Sequence, residues 1–83
     1  MNRTQKIKAI KAAQDRIAGT NHRLTEVYPV NLRRLGYIAQ IQAVESTPEP
    51  GTARAITRRF DPEQLSRLNA DNVRAAVIEG AQI

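Results

Sequence analysis

Few residues of this sequence could carry catalytic chemistry. It has one histidine, His22, and neither cysteine nor tryptophan. A lone histidine cannot make a zinc site, which needs three or four protein ligands. Ser46 and Ser66 have no base implied nearby, so neither is predicted to be an activated nucleophile. We therefore expect no metal site, no cofactor and no covalent catalysis.

Acid–base chemistry by paired carboxylates is equally poorly supported. Asp61 and Glu63 are close in sequence, but both are explained by the start of a helix at Pro62. Asp71 has the same explanation at a later helix start. Glycoside chemistry needs two carboxylates set apart across a substrate-sized cleft, for which 83 residues leave little room. The sequence predicts a protein that is not an enzyme.

Positive charge is distributed unevenly along the chain. Residues 1–36 carry eight basic and two acidic side chains, a net charge of +6, whereas residues 37–51 have a net charge of −2 and residues 52–83 of +1. A localised surplus indicates attraction to an anionic surface. The alternative is a solvated helix face that keeps a small protein soluble.

The candidate binding residues are cations of the N-terminal part and of a second arginine cluster around residue 58. Arginine outnumbers lysine ten to three, which suits bidentate contacts with phosphate or carboxylate but also fits a GC-rich bacterial or bacteriophage genome. The candidates are Lys6, Lys8, Lys11, Arg16, Arg23, Arg33, Arg34, Arg54, Arg58 and Arg59.

The elements that must position these cations begin with an amphipathic helix over residues 3–18. Its apolar stripe consists of Ile7, Ile10, Ala13 and Ile17. Gly19 follows in the position of a left-handed C-cap. Residues 20–30 are ambiguous, because the helix could run on through Gly19 or restart shortly after it; Pro29 ends it in either case.

A second helix is predicted over residues 31–46, with Asn31 as its N-cap. Apolar residues fall at every third position, namely Leu32, Leu35, Ile38, Ile41 and Val44. The rival interpretation is a strand over Tyr37–Glu45. Residues 47–52 contain two prolines and a glycine and are predicted to be a loop.

Residues 53–60 fit either a helix or a short strand. The strongest local signal follows, since Asp61, Pro62 and Gln64 have the pattern of a capping box with proline at the first helical position. A helix is therefore predicted to start at Pro62. A second N-cap among residues 69–72 precedes a last helix, and Gly80 is its predicted stop.

Together these segments predict a mainly α fold, a small bundle of three to five short helices, with a β-hairpin within residues 37–60 as the alternative. Residues 1–83 are predicted to form a single small basic domain. Its core is small, so we expect a protein partner or self-association. No apolar segment approaches the length of a membrane span, and the N-terminus does not read as a secretory signal, so a cytoplasmic location is expected.

The stretch from Arg54 to Leu65 is similar in pattern to ribbon–helix–helix repressors, in which a short strand precedes a Pro-capped helix and a second helix. The resemblance covers about a third of the chain. It implies a dimer in which Ala55, Thr57 and Arg59 face the major groove of DNA. The helix after Pro62 is shorter than the family's first helix.

The function predicted from these features is non-catalytic binding. We expect an accessory, inhibitory or structural subunit whose basic N-terminal helix is directed at an acidic protein partner. The alternative is a nucleic-acid-binding regulator, either similar to ribbon–helix–helix proteins or a basic helix on phosphates. Only three residues are aromatic, and they are not grouped as a platform for single-stranded bases.

Overall fold

A three-stranded antiparallel sheet lies at the centre of the structure, a computed structural model that describes residues 1–28 and 30–83. Helical elements before and after the sheet pack against it. In chain order the elements are α1 (Arg3–Arg16), β1 (Leu24–Glu26), α2 (Val30–Arg34), β2 (Ala39–Ser46), β3 (Ala53–Phe60), α3 (Pro62–Arg67) and α4, a π-helical turn (Ala75–Glu79).

The sheet has the order β1-β2-β3, so that β2 is central and pairs with both neighbours. Ile41 of β2 lies opposite Leu24 of β1 and Arg58 of β3. Because side chains alternate along a strand, this register separates two faces. The inner face carries the buried residues of the strands, Leu24, Ala39, Ile41, Ile56 and Phe60.

The hydrophobic core lies between the inner face and the elements α1, α3 and α4. It joins Ala13 and Ile17 at the end of α1 with the strands and with the C-terminal third of the chain. The C-terminal members are Leu65, Leu68, Val73, Ala76 and Val77. The first two turns of α1 contribute no fully buried residue, so this half of the helix extends along the edge of the core.

Helix α1 is close to its predicted extent. Asn2 caps it: the Asn2 Oδ1 accepts from the main-chain N–H of Gln5, and the Gln5 Oε1 accepts from that of Asn2. The helix ends at Arg16, two residues before the predicted end, and Gly19 has a φ of +90° in the turn that follows. Glycine adopts this left-handed conformation without strain.

The predicted mainly α bundle is wrong. The chain is α+β, with 23% strand and 38% helix, and among the described residues only α1 exceeds six residues. Strands β2 and β3 come from two segments whose apolar spacing also fits a helix. Pairing along the β2–β3 hairpin outweighs the modest helix propensity of these residues.

The helix predicted over residues 31–46 is replaced by the short α2 and the strand β2. Gly36 lies between them with a φ of +92°, a conformation that stops an α-helix. The apolar residues at every third position do not share a face, because Ile38 and Ile41 are buried whereas Leu35 is 70% and Val44 is 73% exposed. The hairpin alternative is the one that the structure contains.

The helix considered for residues 20–30 is also wrong, because β1 occupies Leu24–Glu26. Leu24 and Val27 are buried, and their main chains bond to the Gln14 side chain and to Ile38 respectively. The predicted break at Pro29 lies outside the described residues.

The capping box at the start of α3 is confirmed. The Asp61 Oδ1 accepts from the main-chain N–H of Gln64, and the Gln64 Oε1 accepts from that of Asp61. Further on, the Asn69 side chain accepts from the main-chain N–H groups of Asp71 and Asn72 before the last helical segment. Gly80 ends α4 in the left-handed conformation.

The strand β3 does not have the partner that the resemblance to ribbon–helix–helix repressors implies. Its eight residues pair with β2 of the same chain, whereas in those repressors the ribbon forms between two chains. The helix that follows, α3, has only six residues. Ala55, Thr57 and Arg59 lie on the outer face of the sheet, opposite the core.

Candidate functional site

Two of the candidate cations are hydrogen-bonded to other elements of the fold. The Arg16 guanidinium donates from Nη2 to the carbonyl of Leu65 at 2.7 Å and from Nε to that of Leu68 at 2.8 Å. The Arg58 Nε donates to the carbonyl of Val77 at 2.9 Å. The Leu68 and Val77 carbonyls lie at the ends of α3 and α4, where helical carbonyls lack intrahelical donors, and the Leu65 carbonyl also accepts from the main-chain N–H of Leu68. Arg16 and Arg58 therefore hold the C-terminal elements against the rest of the chain.

Four further candidates are distributed around the molecule. Arg54 forms an exposed ion pair with Glu45 across the hairpin, with a distance of 2.6 Å from Nη2 to Oε2; such a pair contributes little to stability. Arg59 is exposed on the outer face of the sheet. Arg23 lines a groove of about 440 Å³ between α1 and β1, together with Lys11.

The remaining candidates, Lys6, Lys8, Arg33 and Arg34, lie at one end of the molecule. Helix α1 runs antiparallel to β1, because Gln14 bonds to Leu24 while Ile7 shares the groove with Glu26. The start of α1 is therefore close to the end of β1, and Arg33 of α2 lies over the ring of Tyr28, which follows β1. We call the exposed or half-buried residues of these segments the basic pole; they are Arg3, Lys6, Ile7, Lys8, Tyr28, Arg33, Arg34 and Leu35.

Tyr28 connects the parts of the basic pole. Its hydroxyl donates to the Glu26 Oε2 at 2.7 Å, and the Arg33 guanidinium carbon lies 5.0 Å from the centre of its ring. The hydrogen bond to Glu26 and the negative charge of that carboxylate raise the pKa of the Tyr28 hydroxyl. The positive charges of Arg3 and Arg33 act in the opposite direction, which places both arginines near the phenol.

Exposed apolar side chains accompany these cations, and the sequence patterns do not predict them. Ile7 is 46% exposed, Tyr28 58% and Leu35 70%. Ile7 and Leu35 belong to stripes that were expected to be buried. One local signal indicates the exposure of Leu35: it comes directly before Gly36, where α2 has ended.

The described residues show no grouping that resembles a catalytic centre. Three or more metal-ligating side chains do not come together among them. His22 lines an open groove under the hairpin with Arg74 and the apolar Ile56. Ser66 donates to the carbonyl of Glu63 in its own helix, and Ser46 lies at the end of β2.

No helix within residues 1–28 and 30–83 is long and apolar enough to cross a membrane.

No protein-family model matches this sequence, and neither the curated proteins nor the solved structures contain a significant match. The case for a function therefore rests on the surfaces described above.

Proposed function

We propose that this chain is a non-catalytic binding protein whose basic pole contacts an acidic surface of another protein. The observation that carries the proposal is the mixture of cations and exposed apolar side chains at this pole. We also propose that the contact is made in the cytoplasm, where a cysteine-free domain needs no disulfide framework.

Two cations of α1, Arg3 and Lys6, are placed where they oppose its stability. The first turn of α1 has no acidic residue and begins with Arg3, and Lys6 follows in the second turn. A helix N-terminus carries a partial positive charge, so each cation near it costs about 0.3–1 kcal/mol. A solvated helix face needs no such arrangement, whereas a surface that attracts an anionic partner does.

The apolar side chains favour protein over nucleic acid as that partner. Interfaces between proteins combine aromatic, aliphatic and arginine side chains at their centre with a polar rim. The basic pole has this composition: Ile7, Tyr28 and Leu35 are exposed, and the Arg33 guanidinium lies over the Tyr28 ring. A phosphate backbone would engage the cations and leave Leu35 in water. The cations would steer the encounter with an acidic partner, and the apolar residues would hold the complex.

One observation favours the second candidate, a nucleic-acid-binding regulator. The ring of Tyr28 is exposed next to Arg33, an arrangement on which an unpaired base could stack. The cations Lys8 and Lys11 are exposed one turn apart on α1 and could follow a backbone. Such binding would fall steeply with added salt because of counterion release.

An affinity pull-down from cell lysate, with and without nuclease treatment, distinguishes the two candidates. We expect a defined protein that is retained after nuclease, that is lost with the double variant Lys8→Glu plus Arg34→Glu, and that is reduced with Leu35→Ser. Arg74→Glu is the matched control, because Arg74 is exposed on another part of the molecule.

Two results would overturn the protein-partner proposal. The first is loss of all bound material after nuclease treatment. The second is binding of random duplex DNA at about 50 mM salt that disappears by about 200 mM and that Leu35→Ser does not change. Both would establish the nucleic-acid candidate instead.

A further inference from the structure

Most of the outer face of the sheet is left uncovered by the rest of the described chain, although the Gln40 Oε1 is buried. Because side chains alternate, it carries the strand residues that point away from the core: Thr25, Gln40, Gln42, Val44, Ser46, Ala53, Ala55, Thr57 and Arg59. Apart from Gln40 and Thr57, which are half-buried, all of these are exposed. The core contacts of α1, α3 and α4 are made with the inner face.

The exposed area of the chain is large for its mass. Its accessible surface is 5775 Å² at 9.3 kDa, whereas a compact monomer of this mass exposes about 5000 Å². The difference, about 800 Å², is close to what each partner loses in an interface of standard size. An uncovered face on one side of the sheet is one place where that area can be buried.

We propose that a second copy of this chain covers the outer face, so that two sheets pack face to face. Two copies with a net charge of +5 each repel one another, and the basic poles are the worst surfaces to bring together. On the outer face the only charged side chain is Arg59. Two copies that meet on this face therefore bring few like charges together.

The charges near this face select the arrangement of the two copies. Val44, which is 73% exposed, lies opposite Ala55 at the centre of the hairpin. Arg59 lies four residues from Ala55 in one direction, about 14 Å along the strand. The hairpin loop, which contains Glu49, lies at a similar distance from Val44 toward the opposite end of the strands.

A two-fold axis that crosses the strands at Val44 and Ala55 therefore brings Arg59 of each copy to the loop and Glu49 of the other. It also places the Val44 side chains of both copies at the centre, as an isologous interface requires. An axis parallel to the strands would instead bring both Arg59 side chains to the same end. The two-fold axis that crosses the strands is therefore favoured, because it places Arg59 of one copy beside Glu49 of the other at both ends of the interface.

Pairing of the β3 edges is the other way in which two copies could associate, and its charges oppose it. In the antiparallel register centred on Ile56, which pairs seven of the eight residues, Arg54 lies opposite Arg58 of the second copy, twice. Like charges directly opposite each other destabilise a strand pair. Packing of the faces avoids this contact.

Sedimentation equilibrium over a dilution series tests the proposal. For the unmodified chain at low micromolar to several hundred micromolar concentration, we expect a reversible rise in mass from 9.3 kDa toward twice that value. Val44→Lys is expected to remain a monomer, with an unchanged far-ultraviolet circular dichroism spectrum as evidence of folding. Leu35→Lys, an equally exposed position on the basic pole, is the control and should associate like the unmodified chain.

A charge exchange tests the arrangement independently of Val44. Arg59→Glu places a carboxylate beside Glu49 of the other copy and is expected to weaken the dimer about tenfold. Adding Glu49→Arg should restore the original affinity. Added salt should strengthen the dimer by screening the repulsion between copies, whereas it should weaken the proposed complex at the basic pole.

A monomer at all concentrations would refute the second copy as the occupant of this face. Association that Val44→Lys leaves intact would place the dimer interface elsewhere. If Glu49→Arg fails to rescue Arg59→Glu, the crossing axis is wrong. None of these results bears on the pull-down, so the two proposals can fail separately.

Discussion

Arginine has two separate uses in this protein. Arg16 and Arg58 donate to main-chain carbonyls at the ends of α3 and α4, whereas Arg33 and Arg34 belong to the basic pole. The guanidinium suits the first use because it presents several donors in a rigid fork, and lysine offers only a compact ammonium. Composition alone cannot separate these uses, because both give the same count of positive charges.

Arg16→Lys is expected to lower the free energy of unfolding by about 1–2 kcal/mol, since one ammonium cannot replace the bonds to both Leu65 and Leu68. Urea unfolding followed by circular dichroism measures the change. Lys8→Arg, at an exposed position of the same helix, is the control and should change stability by less than about 0.5 kcal/mol. Equal stability of Arg16→Lys and the unmodified chain would contradict the structural role of Arg16.

The ionisation of Tyr28 reports the geometry of the basic pole. Its hydroxyl donates to Glu26, which favours the protonated phenol and raises its pKa. Glu26→Gln removes the negative charge and should lower the pKa of Tyr28, so that it ionises earlier as the pH rises. Tyrosinate absorbance during an alkaline titration measures this. Because Tyr37 also absorbs as tyrosinate, both titrations are carried out in the Tyr37→Phe background. If Glu26→Gln leaves the titration curve unchanged there, the hydrogen bond between Tyr28 and Glu26 is contradicted.

Among the helices and strands, the sequence predicted the features that depend on only a few neighbouring residues. The capping box of Asp61, Pro62 and Gln64 and the extent of α1 depend on local hydrogen bonds and local periodicity, and both were found. The strands β2 and β3 depend on each other, and their spacing fits helix and strand alike. Only the pairing of two distant segments decides between these, and one segment cannot show it.

The candidate site was predicted in part for the same reason. The N-terminal surplus of charge is visible in the sequence, and it includes the cations of the basic pole. That Arg16 bonds to α3, or that Leu35 is exposed, follows from contacts between elements. Such contacts distinguish the cations that stabilise the fold from those that can bind a partner. A pattern within one segment of sequence does not reveal them.

Helix α1 gives a prediction about the balance between stability and binding. Arg3→Glu replaces a cation at the positive end of the helix with an anion and should raise the free energy of unfolding by about 0.5–1 kcal/mol. The same change should reduce capture of the protein partner. Thermal unfolding and the pull-down measure the two effects. Glu substitution at Lys11, in the third turn, is the control, because the dipole is weaker there. A less stable Arg3→Glu variant would contradict this account.

The whole molecule is elongated, because the β2–β3 hairpin and the start of α1 extend beyond the core. The principal extents are 45 × 28 × 19 Å, and the Cα radius of gyration is 13.2 Å, compared with about 12 Å for a compact chain of this length. Small-angle X-ray scattering of the monomeric Val44→Lys variant should show this elongation. A radius at the compact value would mean that the hairpin folds back in solution.

The free edge of β3 has a consequence for how the chain behaves at high concentration. This edge is eight residues long and has no further strand beside it among the described residues, and such edges can recruit identical chains into cross-β fibres. Arg54, Arg58 and Arg59 charge the edge and make that growth unfavourable. Neutralising Arg54 and Arg59, which make no bond to the helical elements, should therefore promote aggregation even where the fold is unchanged.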